Sequence, residues 1–252
     1  TGAVLTVSRP YAEQLLTAQG ADGLERLMQS KRHMLFGISN GIDLPTLRRV
    51  FWKVGENARA ESQLAPLLAD RVSDRKILKN LPAYKQAAKL LVQRRYELQQ
   101  DGDKVLISFV GRLAEQKGIA LLTEVIPGEG VTPLESILRK NERVQILIGG
   151  PICFGDPAVE RLRILSAELS ERFPGRFRAI FDFILHRDAM EITAGSDLFL
   201  MPSRYEPGGI TQLEALSVGT LVVARNVGGI RATLLDYRDV GSELNKEGNS
   251  FL

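Results

Sequence analysis

Residues 197–229 read DLFLMPSRYEPGGITQLEALSVGTLVVARNVGG. The segment opens with an apolar run, DLFLMPS, and passes a polar turn. It continues through GITQLEALSVG, whose apolar residues recur at helical spacing, into a second apolar run, TLVVARNVGG. Short, near-continuous apolar runs alternating with helical patterns read as parallel strands covered on both faces. The same rhythm extends upstream. KVLISFVG, RVQILIGG and RFRAIFDF read as strands, and KGIALLTEVI, AVERLRILSAELSERF and DAMEITAG as helices; downstream, IRATLLDY is a further helix. The predicted fold class is therefore α/β, a Rossmann-like parallel sheet over residues 103–252. Ligands of such sheets bind at the carboxyl ends of the strands.

The rest of the chain reads differently. AVLTVS is a short strand, RPYAEQLLTAQG a helix closed by Gly20, and HMLFGISNGID a strand entering an Asn-Gly turn. Residues 44–102 read as a helical connector or insertion. Pro45, Gly55, Pro66 and Pro82 divide it into short helices and one longer helix after Pro82.

Composition sets outer limits. The chain has 252 residues, one cysteine and a formal net charge of +3. That charge is too small to argue for a nucleic-acid partner, and the basic cluster Arg71, Arg75, Lys76 and Lys79 reads as a solvated helix face. A lone Cys153 excludes an intrachain disulfide framework and fits a reducing compartment. No apolar run reaches the ~20 residues of a membrane span. The first residue is Thr, and TGAVLTVS begins as if cut into a strand.

Four polar clusters sit at the carboxyl ends of the predicted strands. They are VGRLAEQKG with Arg112 and Lys117, IGGP with Gly149 and Gly150, SRYEPGGITQLE with Glu206, Gly208, Gly209, Thr211 and Glu214, and NVGGI with Gly228 and Gly229. Glycine pairs that open helices offer free backbone N–H groups and the positive end of a dipole, which suit phosphate. Arg112 and Lys117 bring a planar fork and a point charge to the same edge, a counter-charge for a pyrophosphate with no metal and no other cofactor. Glu214 lies within an apolar helical run, where a charge is costly unless it is satisfied. Glu206 and Glu214 also fit a glycosidase acid pair less well, because one precedes a helix and the other lies inside it. Asp101–Gly102–Asp103 reads as a turn rather than a metal motif. His33 and His186 have no metal-ligand spacing.

These residues resemble the glycogen and starch synthases, retaining glycosyltransferases of the GT-B fold. The resemblance rests on TVSRPYAEQL, GISNGID, FVGRLAEQKGIALL, ITAGSDLFLMPSRYEPGGITQLEALSVGTLVVARNVGGI and GNSFL, which occur in the family's order. It implies a nucleotide-sugar-binding domain over 103–252, preceded in 1–43 by the tail of an N-terminal acceptor domain of the same enzyme. It implies glucose transfer from ADP- or UDP-glucose to an α-1,4-glucan, in the cytoplasm or plastid stroma. It assigns Arg112 and Lys117 to the donor diphosphate, Glu206 to the transferred sugar, Gly209 and Thr211 to the helix start near the diphosphate, and Asn40 and Asp43 to the cleft. The family usually carries Cys at the position of Gly208, and an acid at the position of Glu214 is uncommon in its bacterial and plant members. Glu206 and Glu214, eight apart, instead resemble the acid pair of the wider retaining GT-B group, in which the second acid holds the ribose. A sucrose- or trehalose-type synthase, or a nucleotide- or glucan-binding module without catalysis, therefore stands beside the first reading.

Overall fold

The structure, a computed structural model, describes residues 2–43, 50, 53–57, 81–236 and 250–251. The first part is a two-stranded parallel sheet, β1 (Val4–Thr6) beside β2 (Leu35–Gly37), with Leu5 opposite Phe36. Three short helices join the strands: α1 (Arg9–Gln14), α2 (Ala18–Ala21) and α3 (Glu25–Ser30). Ser8 caps α1, its Oγ accepting from Tyr11 N at 3.1 Å. The helix expected to close at Gly20 ends earlier, at Gln14. Thr17 caps a new turn through Gly20 N, so Gly20 lies inside α2, which Asp22 ends in the left-handed conformation.

Of the expected helical stretch, the basic cluster at 71–79 and the positions Pro45 and Pro66 lie outside the described residues. Gly55 does not divide helices: residues 53–57 are continuously helical around it. The longer helix is present as α4 (Leu81–Arg95), with Pro82 in its first turn, where a missing N–H is tolerated.

A six-stranded parallel sheet forms the main body. Its strands are β3 (Val105–Val110), β4 (Val144–Gly149), β5 (Phe177–Ile180), β6 (Leu198–Met201), β7 (Leu221–Ala224) and β8 (Ser250–Phe251), in the order β5-β4-β3-β6-β7-β8. The helices between them are α5 (Ile119–Thr123), α6 (Pro133–Lys140), α7 (Pro157–Arg172), α8 (His186–Gly195), α9 (Thr211–Ser217) and α10 (Gly228–Thr233). Both faces of the central strands are buried. Ile107, Phe109, Ile146 and Ile148 pack with Leu134, Leu138, Leu162 and Leu169 on one side. Leu106 and Leu147 pack with Val92, Leu98 and Ile192 on the other. Double burial explains why these strands read as unbroken apolar runs.

Helix α6 is not among the sequence expectations above. Its signals are nonetheless orthodox: Thr132 caps Glu135 N, Pro133 opens the helix, and Arg139 and Lys140 close it. Asp101–Gly102–Asp103 is a turn, as read, with Asp103 N donating to Asp101 Oδ1 at 2.9 Å.

Every neighbouring pair in the main sheet is parallel, so all carboxyl ends lie along one edge. From β3 the chain moves outward to β4 and β5, then returns to β6 on the other side of β3. The strand order therefore reverses between β3 and β6. In sheets of this kind the switch point at the carboxyl ends carries the ligand crevice.

Candidate functional site

The two loops that flank this crevice are the clusters singled out in the sequence. After β3, residues Glu115–Lys117 make one tight 3-10 turn, and Gly118 follows in the left-handed conformation with φ of 79°. After β6 runs Pro202–Ile210. The loops are joined along their length. Arg204 N donates to Gln116 O at 2.9 Å, and Gln116 Nε2 donates to Tyr205 O at 3.2 Å. A Cβ on Gly118 would run into the Pro202 carbonyl, so glycine is required there both by its φ and by the close approach of the second loop.

At the join, Lys117 Nζ donates to Glu206 Oε2 at 2.5 Å. Glu206 is only 8% exposed, and Ser203, 1% exposed, donates its hydroxyl to the same oxygen at 3.3 Å. A carboxylate this deep is costly without partners, and the ammonium and hydroxyl supply them. Beside the pair lies a cavity of about 50 Å³, lined by Gly111, Lys117, Met201, Ser203 and Thr211 among others. Arg112 stands at the exposed rim, where its Nη2 donates to Gln116 Oε1 at 2.5 Å.

The glycine pairs behave differently from the expectation of free N–H groups at helix starts. Gly208 and Gly209 do not open α9, which begins at Thr211. Gly228 and Gly229 do open α10, but the Gly229 N–H is committed to Glu206 O at 2.7 Å. A Cβ on Gly228 would strike that same carbonyl, and one on Gly229 would strike Gly208 O. Here glycine serves close backbone packing, which seats the loop carrying Glu206 on the start of α10. Gly150 works similarly: a Cβ there would strike Gly111 O.

Glu214, in the first turn of α9, points to the first residue of α8, with Oε1 3.1 Å from His186 Nε2. Its cost inside the apolar pattern is thus met by partial exposure and a histidine. The N-terminal sheet reaches the same loop. Ser8 Oγ donates to Pro207 O at 2.6 Å, Tyr11 stacks edge-on to Tyr205 at 5.7 Å, and Asn40 Nδ2 lies 2.7 Å from where a Gly208 Cβ would stand. Burial, with the hydrogen-bonded Tyr11 beside it, raises the Tyr205 phenol well above its usual pKa and keeps it neutral. Asp43 ends the described loop after β2 and is exposed.

The structure therefore brings Lys117, Glu206, Thr211 and the glycines of both pairs into one place, with Arg112 at its rim and Asn40 against it. Glu214 is held on an adjoining helix. Ser203 and Gln116, which fix Glu206 and the loop join, were not singled out in the sequence. Gln212 was not either, although it is fully buried, donates to Thr233 Oγ1 at 3.0 Å and leaves its Oε1 without a partner. Its burial beside a polar loop was the available signal, and burial is hard to read between two half-buried neighbours, Thr211 and Leu213. Among the described residues no group of three or more His, Cys, Asp or Glu could hold a metal ion, and no helix is long and apolar enough to cross a membrane.

Comparison with known proteins bears on the fold and the family. Glycogen synthase 2 of Nitrosococcus oceani is 32% identical over 231 residues, 92% of this chain and 40% of that protein. The glycogen synthase of Anaeromyxobacter dehalogenans is 34% identical over 238 residues, 93% of this chain and 42% of that protein. The chain thus spans less than half the length of these curated relatives. The catalytic domain of starch synthase IV from Arabidopsis thaliana, solved with ADP and acarbose, matches with a TM-score of 0.71 at 25% identity, covering all of this chain and 44% of that one. The family model for glycosyl transferases group 1 matches residues 93–240, well over half the chain and the whole of the crevice, and the protein belongs to that family.

Proposed function

We propose that the chain is the nucleotide-sugar half of a glycogen- or starch-synthase-type enzyme. The enzyme transfers glucose from ADP- or UDP-glucose to the non-reducing end of an α-1,4-glucan with retention. In this reading residues 103–252 hold the donor, 44–102 are a connector, and 1–43 belong to an acceptor domain of the same polypeptide. The observation that carries it is the Lys117–Glu206 pair, seated where the strand order reverses.

The chemistry follows from that pair. Breaking the glycosyl bond puts negative charge on the departing diphosphate. Fixed cations where that charge grows stabilise the transition state more than the bound substrate. An ammonium carries three donors, and Glu206 takes one. Lys117 can turn the others to a phosphate, with Arg112 adding a guanidinium from the rim. Glu206, held by Ser203 as well as Lys117, accepts from the hexose hydroxyls and fixes the sugar's orientation. Thr211, Gly208 and Gly209 lie at the diphosphate. Gly228 and Gly229 support the Glu206 loop, and Glu214 holds the ribose. The two cations meet the diphosphate charge, so the reaction needs no metal and no cofactor.

A sucrose- or trehalose-type synthase is the second reading. It is favoured by Glu214, which stands eight positions after Glu206 on the adjoining helix. One experiment separates the readings: the full-length protein with labelled ADP-glucose and UDP-glucose, offered glycogen, fructose and glucose 6-phosphate in turn. The proposal expects label in glycogen that an α-1,4-specific amylase releases, with activity unchanged by EDTA. Label in fructose or glucose 6-phosphate alone selects the second reading. Nucleotide binding with no transfer to any acceptor makes the protein a binding module.

A further inference from the structure

Beside the loop that carries Arg112 and Lys117 (the donor loop), and lined by its Glu115, lies an open groove of about 590 Å³, within the size range of ligand sites. Its most unusual feature is Phe154, 89% exposed. A single exposed apolar side chain is ordinary. What sets Phe154 apart is how firmly its turn is held. Cys153 N donates to Leu113 O at 3.0 Å, and Asp156 N returns to Cys153 O at 3.3 Å across Gly155, whose φ is 75°. Asp156 then locks the turn to both neighbours. Its Oδ1 accepts from Ala158 N at 2.9 Å, capping α7, and its Oδ2 accepts from Glu115 N at 2.6 Å in the donor loop. The ring is thus presented to solvent on a rigid mount tied to the turn that carries Arg112 and Lys117.

The walls around the ring are polar. Glu115, Glu124 and Arg161 line the groove, with Glu124 Oε1 3.5 Å from Arg161 Nη2 and both side chains about half exposed. The lining selects among ligands. The three lining carboxylates, Glu115, Glu124 and Asp156, outnumber the guanidiniums beside them, Arg161 and the Arg204 that pairs with Glu115 at 3.1 Å, and so disfavour an anion. One aromatic ring in a polar groove offers too little apolar surface for an amphipathic helix. The acids do not converge as metal ligands. A flat apolar face beside charged hydrogen-bonding groups suits a neutral ring with an apolar face and hydroxyl edges, which is a pyranose.

We propose that this groove binds a segment of α-glucan outside the catalytic crevice, with a glucose ring stacked on Phe154 and its hydroxyls bonded to Glu115, Glu124 and Arg161. The choice of α-glucan rests on the function proposed above. The site would hold the polymer against the donor loop between transfers and raise the local concentration of chain ends.

The test uses the full-length protein and variants at Phe154, whose exposure leaves the fold undisturbed. Glycogen affinity is read by mobility in a glycogen-containing native gel without donor. ADP and UDP binding, transfer to maltotriose and sedimentation are measured alongside. Phe154→Ala should weaken glycogen binding about tenfold, equal to ~1.4 kcal/mol. It should raise KM for glycogen and leave nucleotide binding and transfer to maltotriose unchanged. Phe154→Trp should keep the affinity because it keeps a flat face, and Phe154→Leu should lose it. Wild-type glycogen affinity in Phe154→Ala overturns the proposal, as does full affinity in Phe154→Leu. An altered oligomeric state with unchanged glycogen affinity would make the groove a protein contact instead. Failure of the wild type to transfer to maltotriose would sink the glucan reading of the crevice by a separate measurement.

Discussion

Two edges of the same sheet each set lysine against a carboxylate, and they use it in opposite ways. At the carboxyl edge, Lys117 gives one donor to Glu206 and faces a cavity with the rest. At the opposite edge, Lys89 spends its ammonium on Gly102 O, Lys104 O and Asp197, at 3.2, 2.8 and 3.0 Å. Its neighbour Lys85 spends three donors on Ala194 O, Ser196 O and Thr220 Oγ1, at 3.0, 2.7 and 2.8 Å. Asp197 completes that lock by accepting from Leu106 N at 2.7 Å. A lysine with all its donors satisfied by the protein is a staple, here fastening α4 to the starts of β3, β6 and β7. A lysine with donors to spare at a crevice is available to a ligand. The difference between structural and functional cations lies in what remains unspent, and the same residue type serves both.

Breaking the contrast at its functional end should give the largest effect. Loss of one donor to developing charge typically costs ~2.7–4 kcal/mol, or about 100–1,000-fold in rate. Lys117→Ala in the full-length protein should lower turnover per folded molecule by that factor, with a smaller change in apparent donor affinity; it also leaves the buried Glu206 carboxylate without its ammonium, so some loss of stability accompanies it. Lys117→Arg should rescue only in part, because a planar fork does not replace a point charge. Near-normal turnover in Lys117→Ala would reduce the pair to a structural bridge like the one at the other edge.

The matching break at the structural end is Lys89→Met. Removing one partner of a buried pair usually costs 3–5 kcal/mol, and the side chain of Asp197 is 35% exposed, so water recovers part of the loss. The expected destabilisation is about 2–3 kcal/mol, read by denaturant midpoint, with turnover per folded molecule unchanged. A variant that melts normally but turns over slowly would reverse the roles assigned to the two edges.

The sequence shows the carboxyl edge far better than the opposite one, for a physical reason. Strand–helix alternation is local, so the parallel sheet and its ligand edge can be read from apolar spacing, and Lys117 and Glu206 stand out as charges in turns that follow strands. Satisfaction is not local. Lys85 and Lys89 sit in a helix and look like ordinary surface residues, because their acceptors come from segments up to 135 positions away. The glycine pairs show the same limit from the other side. Their place in the chain was legible, yet whether an N–H faces phosphate or the Glu206 carbonyl depends on how two distant loops meet. Helix α6 shows its cap and apolar residues at helical spacing, Leu134, Ile137 and Leu138, but at eight residues it spans barely two turns and is easily passed over between the two stronger strand patterns around it.

Glu214 tests the boundary between the two kinds of site, since it has a protein partner in His186 but remains partly exposed. If it holds the ribose, Glu214→Ala should weaken nucleoside diphosphate binding by ~1–3 kcal/mol, the range for a lost buried hydrogen bond. Turnover at saturating donor should change little, whereas Glu206→Gln should chiefly lower turnover. His186→Ala should leave nucleotide affinity within about fivefold, because an exposed polar pair of this kind contributes only ~0–1 kcal/mol. Titration of ADP and UDP by calorimetry reads all three. Identical profiles for the two acid variants would remove the division between sugar and ribose.

The smallest effect concerns Lys85. Burial lowers its pKa from the ordinary 10.5 to about 8; Asp197 nearby opposes the shift and Lys89 adds to it. Between those two values the unfolded chain holds the proton more tightly than the folded protein does. The unfolded state then binds more protons, so this group's contribution to stability rises with pH. The penalty is fullest below pH 8 and fades as pH climbs through the window. Between pH 7 and pH 9 the gain should be about 1 kcal/mol, since the slope per group cannot exceed ~1.4 kcal/mol per pH unit. Other lysines and tyrosines titrate in the same range, so the measurement is a difference. Urea midpoints of wild type and Lys85→Met are compared at pH 7, 8 and 9. Wild type should gain relative to the variant as pH rises, whatever the variant's absolute stability after Ala194 O and Ser196 O lose their donor. Parallel pH profiles would mean that the three acceptors hold Lys85 charged, with its pKa near the unfolded value. The saturated staple would then carry no penalty for burying its charge, and the two edges would differ only in geometry.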